Sequence, residues 1–139
     1  MAVVKFLPTI ALGGALGGAL RYGFDHLAVE VGLTAFPWAT LFVNLSGSLL
    51  IGWLAGRWAS GGAARPHPGK WHFWMTGFCG GYTTFSAFAW QLLEMLEGGG
   101  GRAAGLYAAA SVGFGLLAVW LGLSLALRGG EGAKAAEGG

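Results

Sequence analysis

Gly77-Phe78-Cys79-Gly80-Gly81-Tyr82-Thr83-Thr84-Phe85-Ser86-Ala87-Phe88 lies in the middle of an apolar segment that runs from Trp71 to about Leu96. Paired glycines and paired threonines are poor helix material, each glycine costing roughly 1 kcal/mol relative to alanine. In lipid the cost is sharper, because a freed carbonyl or N–H has no water to turn to. A break at that depth persists only where it is buried in protein, lines a cavity or holds an ion. Half-helices over Trp71 to Cys79 and Thr84 to Leu96 would rise roughly 14 and 20 Å, enough together to cover a hydrocarbon core about 30 Å thick. The stretch reads as a membrane helix broken at its middle.

The remaining composition agrees. The chain has 139 residues, of which 55% are hydrophobic and 10% charged, and its mean hydropathy is +0.61. Soluble domains carry about 25% charged residues, so this chain cannot cover a water-facing surface. Many of the 28 glycines sit inside apolar runs, where small residues let membrane helices approach closely. Cys79 is the only cysteine, which excludes an intrachain disulfide. Basic runs interleaved with aromatics are absent, so nucleic acid is not an expected partner. No metal-ligand spacing of histidine, cysteine or carboxylate appears either.

Four spans are expected. The first runs from about Val3 to Leu27, with Gly13, Gly14, Gly17 and Gly18 forming a small-residue contact face. Arg21 stands one turn further on that face, and either snorkels to the interface or lines a wet vestibule. Trp38 and Trp58 bracket the second span as interfacial aromatics do. Within it Thr40, Asn44 and Ser48 recur every four residues and form one polar stripe. Interhelical hydrogen bonding accounts for Thr40 and Ser48. Asn44, with a two-donor amide deep in the span, is a candidate functional group. Gly61 to Lys70 is expected to be a loop and Gly98 to Gly101 a turn. Ala103 to Leu127 is the fourth span, carrying Tyr107, Ser111 and Gly115 four residues apart. Residues 1–128 thus form one four-helix transmembrane domain, and 129–139 a disordered tail.

An even number of spans puts both termini on one side of the membrane. Lys5, Arg57, Arg65, Lys70, Arg128 and Lys134 fall on that side, and Arg102 and Arg21 on the other. The positive-inside rule then makes the termini cytoplasmic in a multi-pass plasma-membrane protein.

The chemistry available in the core is neutral. Asp25, Glu30, Glu94 and Glu97 all lie at or near helix ends, which disfavours proton-coupled export. No histidine or carboxylate shares a turn with Ser46, Ser86 or Ser111, so no nucleophile and base are paired and no enzyme is expected. Asn44, Thr84, Ser86, Tyr107 and Ser111 can donate hydrogen bonds. Phe85 and Phe88 lie three apart on one helix face, and a phenyl ring carries its positive potential at its edge. Such a spacing is also that of ordinary core packing. A narrow path lined by neutral donors can replace part of an anion's hydration shell without trapping it.

Three segments resemble a known family. Gly80-Gly81-Tyr82-Thr83-Thr84-Phe85-Ser86-Ala87-Phe88 is similar to the GG-x-TTFS-x-F signature of the Fluc-type fluoride channels. Thr40-Leu41-Phe42-Val43-Asn44-Leu45-Ser46-Gly47-Ser48 resembles that family's TL-x-VN-x-x-GS segment. Gly17-Gly18-Ala19-Leu20-Arg21-Tyr22 resembles its first helix. The three occur in the family's order on separate helices, and the resemblance covers Val3 to Leu127. It implies an all-α membrane protein that forms an antiparallel dimer in the lipid bilayer and conducts fluoride out of the cytoplasm by passive flow. By the same resemblance Asn44 is the pore asparagine, Phe85 and Phe88 the phenylalanine pair, and Tyr107 and Ser111 the polar track. Thr40, Thr84 and Arg21 belong to the fluoride pathway. Gly80 and Thr83 offer backbone carbonyls to a structural sodium ion on the dimer axis.

The chain departs from the family pattern at Ala87, Ala89, Gln91 and Gly115, where threonine, serine, glutamate and serine are frequent. The basic residues are also unbalanced for a chain that inserts both ways, so the antiparallel partner is either a second copy or an oppositely oriented sister chain. A small cation or multidrug exporter and a non-transporting assembly subunit are the competing readings.

Overall fold

The computed structural model describes residues 4–59 and 66–137, and every regular element among them is helical. A short 3-10 turn (Val4–Phe6) leads into α1 (Leu7–Glu30), followed by α2 (Trp38–Ala59). The third hydrophobic segment is composite: α3 (Pro68–Trp71), a π-helical stretch (His72–Phe78), α4 (Cys79–Tyr82) and α5 (Phe85–Glu97). The last helix, α6, runs from Gly101 to Glu137. Two helical stretches, Trp38–Trp58 and Gly101–Gly129, are each long and apolar enough to cross a membrane.

Local chemistry sets the ends. A proline in the first turn of α1 lacks an N–H where the helix needs none. Gly32 (φ 75°) and Gly99 (φ 77°) take the left-handed conformation that lets the chain reverse after α1 and after α5. Helix α3 starts inside the expected Gly61–Lys70 loop, because the His67 side chain accepts a hydrogen bond from the Gly69 N–H at 3.1 Å. Positions 61–65 of that loop, and Val3 at the expected start of the first span, lie outside the described residues.

Two close helix pairs build the body. On one side α1 lies against the π-helical stretch and α4, with Gly13 and Gly17 facing the backbone of Phe73 and Phe78, and Gly77 and Gly81 facing the backbone of Ile10 and Gly14. A methyl group at any of the four would run into the backbone of the facing helix. On the other side α2 and α6 run parallel, Gly52 resting on the Val119 carbonyl and Gly122 on the Leu49 carbonyl. Helices without hydrophobic drive between them depend on this close van der Waals approach. Bulky apolar side chains then face outward on α6, among them Leu106 at 72% exposure and Leu116 at 68%.

One expectation is corrected. The paired glycines do not break the third segment: Gly80 and Gly81 are helical, and the interruption falls at Thr83 (φ −84°, ψ 160°) and Thr84 (φ −149°, ψ 123°). Gly81 must be helical to meet Gly14, whereas β-branched threonines suit extended backbone. Helix α6 continues past the expected domain end at residue 128 as far as Glu137, and residues 138–139 of the expected tail lie outside the described residues.

Candidate functional site

The interruption at Thr83 and Thr84 leaves helix-end groups that need partners, and side chains from two other helices supply them. The Asn44 side chain clasps Thr84 at two points: its Nδ2 donates to the Thr84 carbonyl at 2.9 Å, and its Oδ1 accepts from the Thr84 N–H at 2.8 Å. Arg21 Nε donates to the Gly81 carbonyl at 3.2 Å. The Cys79 carbonyl accepts from both the Thr83 N–H at 3.0 Å and the Thr83 hydroxyl at 2.8 Å. Thr84 also caps α5, its hydroxyl accepting from the Ala87 N–H at 3.2 Å.

The Asn44 clasp has a consequence one turn back. In an uninterrupted helix the Thr84 N–H would bond the Gly80 carbonyl; it bonds Asn44 instead. Among the described residues, the carbonyls of Gly80 and Thr83 accept no hydrogen bond. Both residues line a cavity of about 380 Å³ together with Asn44, Ser48, Thr84, Phe85, Phe88 and Ser111. No charged side chain among the described residues lines it. Ser111 Oγ is buried without a hydrogen-bond partner among the described residues. Phe85 is 80% exposed, and its ring lies 5.7 Å from that of Phe88, centre to centre.

One turn from this cavity stands a second polar group. Gln91 Nε2 donates to Thr40 Oγ1 at 2.9 Å, and the Tyr107 hydroxyl donates to Gln91 Oε1 at 2.9 Å. Thr40 and Tyr107 are buried, at 2% and 0% exposure, so the bridging amide satisfies two hydroxyls that water does not reach. The Phe88 ring packs on Tyr107 at 5.2 Å. Thr40 and Gln91 also line a second cavity of about 510 Å³, which includes Asp25 and Glu94. The Thr40–Gln91–Tyr107 trio therefore lies between a neutral cavity and one that carries carboxylates.

Asn44, Thr84, Phe85, Phe88, Ser111, Gly80 and Thr83 thus come together around one cavity. Thr40 and Tyr107 sit one turn away, and Arg21 is tied to the end of α4 rather than lining the cavity. Gln91, which the sequence singles out one turn past Phe88 only as a departure from the family pattern, joins the polar group through its amide. Ser48, expected to hydrogen-bond between helices, makes no hydrogen bond among the described residues and lines the cavity instead. No group of histidine, cysteine or carboxylate residues able to hold a metal occurs among the described residues.

Comparison with known proteins matches residues 8–123 to the family model of the CrcB-like proteins, described as camphor resistance (CrcB). The chain is 46% identical over 114 residues to the fluoride-specific ion channel FluC of Paramagnetospirillum magneticum, covering 81% of this chain and 88% of that one. It is 44% identical over 119 residues to FluC of Hyphomonas neptunium, covering 86% and 93%. It is 43% identical over 123 residues to FluC of Flavobacterium psychrophilum, covering 88% and 98%. The match takes in every residue of the clasp, the cavity and the bridging trio, and the chain is a member of the CrcB-like family of membrane proteins.

Proposed function

We propose that the protein is a fluoride channel, which lets fluoride leave the cytoplasm by passive electrodiffusion and carries out no chemical reaction. The carrying observation is the cavity at the interrupted helix, lined by the hydrogen-bonding side chains of Asn44, Ser48, Thr84 and Ser111 and by Phe85 and Phe88, with no charged side chain among its described lining residues. Asn44 spends one amide hydrogen on Thr84 and keeps the second for an anion. Ser111 brings an unpartnered hydroxyl. Phe85 and Phe88 offer ring edges, which attract anions weakly. Thr84, Thr40, Tyr107 and Arg21 complete the route, with the Thr40–Gln91–Tyr107 trio handing the ion between the two cavities. Neutral donors suit a small anion that must shed water and still leave.

The functional unit in this reading is an antiparallel dimer with a second copy or an oppositely oriented sister chain. Two features support it. Phe85 projects from the subunit at 80% exposure, too apolar to face water and too close to the cavity to be lipid surface alone. Gly80 has open space where a side chain would stand. The same face offers the Gly80 and Thr83 carbonyls, and hard carbonyl oxygens suit a sodium ion on the dimer axis. Bound there, sodium would supply positive charge to carbonyl dipoles that otherwise repel one another. The interruption then lies mid-membrane in a four-span, multi-pass plasma-membrane protein with cytoplasmic termini.

Purified protein in liposomes loaded with potassium fluoride tests this reading, with a fluoride electrode and a potassium ionophore to carry the counter-charge. Fluoride release on adding the ionophore, with chloride-loaded vesicles staying full, is the expected result. Vesicles that retain fluoride would refute it.

A further inference from the structure

The parallel register of α2 and α6 sets their polar stripes opposite one another, rung by rung. Gly56 lies beside Leu123 and Gly52 on Val119; one turn earlier Ser48 meets Gly115, and two further turns bring Asn44 level with Ser111 and Thr40 level with Tyr107. The Thr40 rung is closed by the Gln91 amide. At the Asn44 rung, Asn44 is clasped to Thr84 while Ser111 keeps an unpartnered hydroxyl. At the last rung α6 contributes no side chain, and Ser48 Oγ lies 3.9 Å from where a Cβ on Gly115 would stand.

Ser48 is chemically unlike its neighbour Ser46. The Ser46 hydroxyl bonds the Phe42 carbonyl at 2.7 Å and the Tyr82 hydroxyl at 2.9 Å. A serine in a membrane helix commonly turns its hydroxyl back to the preceding carbonyl in this way. The Ser48 hydroxyl has no hydrogen-bond partner among the described residues, and it opens on the same cavity as Asn44 and Ser111. It is the only member of the Thr40–Asn44–Ser48 stripe whose polar group is not used by the protein.

We propose that Ser48 is a coordinating hydroxyl of the anion pathway, which supplies from α2 the donor that α6 lacks at Gly115. An anion leaving the Ser111 hydroxyl along the seam then meets Ser48 one turn further on. The inference rests on the fluoride-conduction reading above.

The test is fluoride efflux from liposomes for the wild type, Ser48→Ala, Ser48→Thr, Gly115→Ser and the double variant Ser48→Ala, Gly115→Ser, with assembly checked by size exclusion. Ser48→Ala is expected to slow efflux about tenfold, the equivalent of one hydrogen bond to a charged group. Ser48→Thr keeps the hydroxyl and stays near wild type. The double variant recovers most of the lost rate, because a side chain at position 115 has room and its hydroxyl takes over the rung. Recovery by moving the hydroxyl to the other helix would not follow if Ser48 served only packing. Wild-type efflux in Ser48→Ala, or a slow Ser48→Ala that Gly115→Ser fails to rescue, overturns the assignment. A wild type that carries no fluoride overturns the parent reading instead, and is told apart by the wild-type trace alone.

Discussion

Removing the Asn44 side chain should change the backbone before it changes the ion. Asn44→Ala deletes both hydrogen bonds to Thr84, at 2.8 and 2.9 Å, and leaves one N–H and one carbonyl without their partners. A buried backbone group left unpaired costs about 1–3 kcal/mol. The N–H has a fallback, because the Gly80 carbonyl stands one helical turn back with no competing donor. The net local loss should therefore stay near the cost of a single group, about 1–3 kcal/mol, and the rest of the helix packing should hold. Amide exchange over residues 82–87 should quicken about tenfold to a hundredfold in this variant, while α2 and α6 keep their protection. Fluoride efflux should fall with it. Asn44→Asp separates the two roles. Its carboxylate still accepts from the Thr84 N–H but cannot donate to the Thr84 carbonyl, and it places negative charge on a neutral cavity. Exchange at Thr84 should stay slow while efflux is lost. Unchanged exchange in Asn44→Ala, together with wild-type efflux, would refute both the clasp and the pathway.

Other outcomes follow from the same geometry. Phe85→Ile should leave the subunit's own stability unchanged, because the ring is 80% exposed, yet lower fluoride efflux sharply. Phe88→Ile should lower efflux and also cost about 0.5–1.5 kcal/mol through the lost ring contact with Tyr107; normal efflux in both would make the rings packing alone. Gly81→Ala should disrupt the α1 contact, since the added methyl meets the Gly14 backbone, whereas Gly80→Ala meets nothing within the subunit. If the Gly80 face is the dimer contact, that second variant gives folded but poorly paired protein by size exclusion. Replacing sodium by a bulky organic cation should weaken the dimer, by an amount that follows the logarithm of sodium concentration above its dissociation constant. Equal dimer stability after exhaustive sodium removal would count against carbonyl binding at Gly80 and Thr83.

Helix α2 was largely legible in the sequence because its apolar run is long and bracketed by Trp38 and Trp58, and the polar stripe could be read from spacing alone. Spacing places a residue on a face but does not say what the face meets. That is why the Asn44 amide could be located and its attachment to Thr84, forty residues away, could not. The same limit separated Gly80 from Gly81. Adjacent glycines look alike in a sequence, and only the approach of Gly14 shows that Gly81 is a packing residue inside a helix. The shared stripe predicts one role for Thr40 and Ser48, whereas the position of Gln91 binds the first and leaves the second open to the cavity.

The central claim is selective, passive conduction, and the reversal potential of the purified protein in a planar bilayer tests it most directly. With fluoride and chloride gradients set in opposite directions across the bilayer, the current should reverse at the fluoride equilibrium potential. Reversal at the chloride potential, or no current under a fluoride gradient, would contradict it.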